Sequence, residues 1–175
     1  MGLTEADAKA LVNEGVLSAD YDEHKEAIEF YDKALKIIET SETYLNKGIS
    51  LVELEKYEDA VTCYDKATTI DASDSLIWYN RGVALTQLEK YDDAVACYDK
   101  ASALDANDSL IWYNRGVALT QLERYDDALS SYEKAIEVSP GYADAWYNKA
   151  ELLKHKGQDA EAETCFAKVK ELEGE

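Results

Sequence analysis

Three cysteines, two histidines and two aspartate-rich turns are the residues of this 175-residue chain whose types could do chemistry. Thiolates could serve in redox or metal sites. Cys63, Cys97 and Cys165 are 34 and 68 residues apart, and each directly precedes an aromatic residue, Tyr64, Tyr98 or Phe166. That regularity places them at one equivalent position of a repeated unit. Helices one unit apart stack with axes roughly 8–10 Å apart, beyond easy disulfide reach, and the spacing is not that of a zinc site. Three free thiols engaged in packing, in a reducing compartment, are expected. His24 and His155 fall in different units, with no recognisable nucleophile, His-x-x-x-His pair or glycine-rich phosphate loop to join. Asp71-Ala72-Ser73-Asp74 and Asp105-Ala106-Asn107-Asp108 partly resemble calcium loops. They lack the central glycine and the terminal glutamate, and capping of the helices that follow accounts for them. No catalytic residue, metal ligand or cofactor is therefore assigned, and no enzymatic activity is expected.

The elements that carry these residues come from a repeat. Asp74–Ala94 recurs at Asp108–Ala128 with one change, Lys90 to Arg124, and looser copies fill the rest of the chain. Aligning on Asn-x-Gly/Ala at Asn13, Asn46, Asn80, Asn114 and Asn148 gives five copies, at about 8–40, 41–74, 75–108, 109–142 and 143–175. In the third, Trp78, Gly82 and Leu85 recur at helical steps over Ser75–Leu88, and Ala94, Tyr98 and Ala101 do so over Tyr91–Leu104. Asp74 or Ser75 is suited to cap the first helix, and Glu89-Lys90 is the short turn between the two. Pro140-Gly141 supplies breakers at the end of the fourth copy. Small Gly82, Ala94 and Ala101 let the two backbones approach, with Trp78, Leu85 and Tyr98 filling the space around them. One such hairpin cannot bury its apolar faces alone, so neighbours stack into a solenoid of about ten helices.

Composition agrees. Hydrophobic residues make up 46% of the chain, and one proline and eight glycines leave helix nearly uninterrupted. A formal charge of −19 repels phosphate backbones and anionic bilayers, so neither nucleic acid nor membrane is an expected partner. Residues 1–12 lack the basic start and apolar centre of a signal peptide, and a cytoplasmic location is expected.

The series Trp78, Gly82, Leu85, Tyr91, Ala94, Tyr98 and Ala101, with its 34-residue period, resembles the tetratricopeptide repeat (TPR) signature. Tyr44, Gly48, Leu51, Tyr57, Ala60, Tyr64 and Ala67 match it in the second copy, and Trp112, Gly116, Leu119, Tyr125, Ala128, Tyr132 and Ala135 in the fourth, with Pro140 at the usual terminal proline. The fifth copy departs at Ala150 and Asp159, and the first is the weakest. The resemblance implies an all-α fold, a right-handed α-solenoid (superhelix) of antiparallel helical hairpins, with residues 1–175 as a single domain.

A second apolar stripe, Leu76, Tyr79 and Val83, is rotated by roughly 120–130° from Trp78, Gly82 and Leu85. Its equivalents are Leu110, Tyr113 and Val117, Leu45 and Ile49, and Tyr147 among the charges of Asp144, Glu151, Lys154 and His155. In the family this strip lines the concave surface. The resemblance thus implies a groove of Leu45, Ile49, Leu76, Tyr79, Asn80, Val83, Leu110, Tyr113, Asn114, Val117 and Tyr147. Such a surface suits a protein or peptide ligand, extended or helical, with apolar anchors and a basic character that the negative charge favours. Two nearly identical copies predict a partner with two similar anchors. The competing expectation is that Val83 and Val117 pack between first helices, leaving only Tyr79 and Tyr113 exposed. The asparagines bond either ligand or the array's own backbone. Arg81, Arg115, Lys47 and Lys149 cover apolar surface with their stems while their charges reach water or an acidic neighbour.

The expected function is a non-catalytic protein-interaction scaffold. The alternative is a self-associating spacer, stacked end to end, as a homodimer for instance, or joined through the groove. A co-chaperone binding acidic chaperone tails is disfavoured. The family's clamp positions hold Val12, Val16, Asn46, Leu76 and Asn80 in one window, Leu45, Ile49, Asn80, Leu110 and Asn114 in the next, and Tyr79, Val83, Asn114, Asp144 and Asn148 in the last, so only the central asparagine is kept and every basic member is missing.

Overall fold

The structure, a computed structural model, describes residues 3–174; Met1, Gly2 and Glu175, at the limits of the expected 1–175 domain, lie outside the described residues. All ten elements among the described residues are α-helices. They fall into two compact units, residues up to Lys90 and residues from Tyr91 onward. The first contains α1 (Glu5–Asp20), α2 (His24–Leu35), α3 (Ser41–Glu53), α4 (Tyr57–Ile70) and α5 (Ser75–Gln87). The second contains α6 (Tyr91–Leu104), α7 (Ser109–Gln121), α8 (Tyr125–Val138), α9 (Ala143–His155) and α10 (Asp159–Glu173). Within each unit consecutive helices pack on one another, as the hairpin reading requires.

The helix starts follow their caps. Asp74 and Asp108 accept the amides of Leu76 and Leu110, each at 2.9 Å, and Thr40 accepts that of Thr43 at 3.2 Å. Asp71 and Asp105 turn their carboxylates back on the loop, accepting from Ser73 N (2.8 Å) and Asn107 N (3.0 Å). The aspartate-rich turns are thus occupied by capping and loop closure. The tryptophans pin the same turns: the indole N–H of Trp78 donates to Ala72 O, that of Trp112 to Ala106 O (each 2.9 Å), and that of Trp146 to Pro140 O (3.0 Å).

Packing within a hairpin rests on glycine against tyrosine. A Cβ built on Gly116 would sit 2.6 Å from the Tyr132 ring, and Gly15 and Gly48 face Tyr31 and Tyr64 in the same way. The first-unit core joins Tyr44, Leu51, Ala60, Cys63, Tyr64 and Ala67 to Ile77 and Ala84 of α5. Ile77 and Ala84 form a third buried stripe, repeated at Ile111 and Ala118, that seats a first helix on what precedes it. All three cysteines are buried free thiols, and burial pushes the Cys63 and Cys165 thiols up from their ordinary pKa.

The basic residues at the family's leucine position form a ladder to the preceding second helix. Lys47 pairs with Asp32 (2.5 Å) and Arg81 with Asp65 (2.7 Å) in the first unit. Arg115 pairs with Asp99 (2.6 Å) and Lys149 with Glu133 (2.9 Å) in the second. Their charges therefore reach an acidic neighbour. His24 is likewise engaged locally, 3.2 Å from Asp22 and 3.4 Å from Ser50 Oγ.

Candidate functional site

The second stripe of each first helix divides by depth. In the first unit Leu76 is 48% exposed, while Tyr79, Asn80 and Val83 of α5 are half-buried. Ile49 of α3 is half-buried against the core. Leu45 differs from the groove expectation. It is only 6% exposed, because its short aliphatic side chain is taken into the cluster of Tyr44, Leu51 and Tyr64 instead of standing out as a phenol does. It belongs to the core. In the second unit Leu110 is 45% and Tyr147 48% exposed, with Tyr113, Asn114 and Val117 half-buried. The exposure of both leucines goes beyond a surface that offers only Tyr79 and Tyr113.

The aromatic positions are held in place. Tyr113 lies 4.9 Å from the Tyr142 ring and 6.1 Å from Tyr132, centroid to centroid. Its hydroxyl accepts from Asn148 Nδ2 at 3.1 Å. Burial, then the Asp144 carboxylate, raises its pKa, and the bond from Asn148 partly offsets this. Asn80 and Asn114 instead donate to the carbonyls of Leu76 (2.8 Å) and Leu110 (3.0 Å) one turn earlier in their own helices. For these two the backbone of the array itself is a partner.

Next to this strip, α7, α8 and α9 enclose a cleft of about 380 Å³, lined by Val117, Thr120, Gln121, Tyr125, Tyr132, Asn148, Glu151, Leu152 and His155. Tyr125 and His155 meet with ring centroids 4.9 Å apart. The hydroxyl of Tyr132 lies 3.0 Å from Thr120 Oγ1, and burial pushes its pKa up to about 12. The arrangement offers aromatic faces, amide groups and one carboxylate. It can hold a side chain.

Sequence models of the tetratricopeptide repeat match residues 75–108 and 109–142, 131–164, and 8–40, and a TPR repeat model matches 48–88. The chain belongs to the TPR family. Its all-α solenoid fold class is that of solved TPR structures. A MamA crystal structure is 25% identical, with 91% of this chain and 94% of that chain covered at a TM-score of 0.89. The structure of YrrB, described as a TPR protein with an unusual peptide-binding site, is 28% identical, with 97% and 88% covered at a TM-score of 0.84. MamA from Desulfovibrio magneticus RS-1 (residues 41 to the end) shares the fold at 23% identity and a TM-score of 0.90, over 95% of this chain and 94% of that one. A comparison with curated protein sequences finds no match.

Sequence reasoning reached Val117 on the wall of the cleft but missed Thr120, Gln121, Tyr125 and Tyr132 as surface around it. From the sequence, Tyr125 and Tyr132 read as packing within the hairpin. The available signal was the fifth TPR copy, where Glu151 and His155 interrupt an otherwise apolar strip.

Proposed function

We propose that this TPR chain is a non-catalytic interaction scaffold that holds a peptide or helix of a partner protein on the exposed strip of its first helices. The observation that carries the reading is the exposure of Leu76 and Leu110. Each stands nearly half free at the start of a first helix, while the core closes without it. Exposed leucines beside half-buried tyrosines suit apolar anchors, and the charge of −19 favours a basic partner. YrrB, a relative of known fold with a peptide-binding site, adds support. Residues 1–175 are taken as one TPR domain, an assignment supported by family matches running from residue 8 to residue 164. A cytoplasmic location is part of the same proposal; no helix among the described residues is long and apolar enough to cross a membrane.

The test selects a random peptide library on the full chain and measures the selected peptides on a Leu76→Ser, Leu110→Ser double variant. Enrichment of apolar residues and an affinity loss of about tenfold or more are expected, as for removal of apolar anchors. Unchanged affinity in a variant with unaltered helicity would overturn the assignment.

A second reading, self-association, is favoured by the cleft of about 450 Å³ on α9 and α10, where Tyr147, Phe166 and Val169 stand beside Lys170 and Glu173. Sedimentation velocity across a concentration series decides it; a monomer throughout removes it.

A further inference from the structure

The cleft between α7, α8 and α9 has a chemistry that the apolar strip beside it lacks. We propose that it receives the guanidinium of an arginine in a bound peptide. This inference rests on the scaffold reading and gives it a ligand chemistry. Glu151 supplies the one carboxylate of the lining, and neither lysine nor arginine lines the cleft. It stands where the earlier copies have Val83 and Val117, so the strip changes from aliphatic to anionic at this point. The Glu151 carboxylate makes no hydrogen bond or ion pair with another of the described residues. Asn148 turns its amide NH2 group toward two phenols, donating to the Tyr113 hydroxyl at 3.1 Å and interacting with that of Tyr132, and its carbonyl oxygen is an acceptor.

The walls suit a planar cation. Tyr125 and His155 bring their rings to 4.9 Å at the mouth of the cleft, and the buried Tyr132 closes it behind them. A guanidinium stacks on such faces while forking its N–H groups to a carboxylate and an amide oxygen. A compact ammonium has no flat face to stack. A leucine here would cover Glu151 and Asn148 without bonding either, which costs their desolvation. An acidic side chain would meet Glu151 and the chain's field of −19. The volume of about 380 Å³ lies at the low end of ligand sites, roughly 300–1,000 Å³, as fits one long side chain.

Four capped pentapeptides that differ only in the central residue (arginine, lysine, leucine or glutamate) are titrated into the full 15N-labelled chain. The arginine peptide is expected to give saturable amide shifts confined to 117–125 and 148–155. The lysine peptide binds there more weakly, and the leucine and glutamate peptides leave those amides unmoved. Glu151→Gln lowers affinity for the arginine peptide about tenfold, the scale of one charge-assisted hydrogen bond. A leucine peptide that saturates the same amides as tightly overturns the inference, as does a Glu151→Gln chain that binds the arginine peptide undiminished. If the leucine peptide moves only amides around Leu110 and Tyr113 and the arginine peptide moves none, the inference falls and the scaffold reading stands. If no peptide moves any amide, both fall. Should Glu151→Gln fail to fold, the four titrations of the unaltered chain decide alone.

Discussion

At the hydroxyl of Tyr132, Thr120 Oγ1 lies 3.0 Å away, and the same threonine donates to Gly116 O at 2.8 Å. Two repeats earlier the tyrosine is Tyr64 and the threonine position is Val52. The Tyr64 hydroxyl is buried and has no hydrogen-bond partner among the described residues. A buried polar group without a partner costs about 1–3 kcal/mol, whereas a made hydrogen bond contributes about 1 kcal/mol net. Val52→Thr keeps the β-branched shape and supplies the missing oxygen, so it is expected to stabilise the chain by about 1 kcal/mol in urea unfolding. Tyr132→Phe should instead cost about 1 kcal/mol, because it breaks a bond that exists. A destabilised Val52→Thr chain would rule out this account of Tyr64. At this scale the sequence was only partly legible. Tyr31, Tyr64, Tyr98 and Tyr132 are plainly one core position, but what satisfies the hydroxyl differs from copy to copy, Thr120 for Tyr132 and Ser50 for Tyr31, and no helical face groups such partners with the ring. Leu45 shows the same limit from the other side: its stripe was correct, its depth was not, since depth depends on how far a side chain can stand out.

Among elements, the turn that closes each hairpin carries an unexpected backbone. Asp22, Glu55, Glu89 and Glu123 have φ of 57–65°, and Gly157 has φ of 74° at the equivalent place. Each turn ends its helix with a six-residue closure, such as Arg124 N to Leu119 O at 2.9 Å and Gln158 N to Leu153 O at 2.9 Å. That motif requires a left-handed residue, normally glycine. An L-residue there costs roughly 1–2 kcal/mol, and glycine returns about 0.4–1 kcal/mol of this through its freer unfolded chain. Glu123→Gly is therefore expected to raise stability by about 0.5–1 kcal/mol, and Gly157→Glu to lower it by a similar amount. Thermal melts of the two variants check the pair; a less stable Glu123→Gly chain would contradict the strain. The periodicity located the turns to within a residue, because apolar spacing marks where a helix must stop. It did not announce their hand, because glutamate is an ordinary helix former and only Gly157 carries the signal. The ion-pair ladder was half legible in the same way. A charged side chain at a leucine position must send its charge outward, but Asp65 for Arg81 and Asp99 for Arg115 are partners that only stacking reveals.

For the molecule as a whole, near-identity of sequence made the fold legible long before the site. Every copy repeats the constraint that shapes the array, so one well-read hairpin gives the others, whereas Glu151 stands at a position where the copies stop agreeing, Val83 and Val117 being its equivalents. The same repetition multiplies the effect of pH on stability. Tyr31 and Tyr132 are pushed up to about 12, chiefly by burial, and burial raises Tyr64 as well. A tyrosine in the unfolded chain ionises near pH 10. Below that pH both states hold the proton, and the contribution of these side chains to stability is fully present. Above it the unfolded chain releases the proton while the folded one retains it, so stability falls as pH rises toward 12. Each such group removes about 1.4 kcal/mol per pH unit across that window. The raised Cys63 and Cys165 thiols act in the same direction from a lower pH. Urea midpoints are therefore expected to hold near neutrality and to fall steeply above about pH 10. Tyr31→Phe removes one of these protons. The variant should start less stable at about pH 8 yet lose less stability than the parent by about pH 11. Equal losses in the two chains would mean that the alkaline transition does not come from Tyr31.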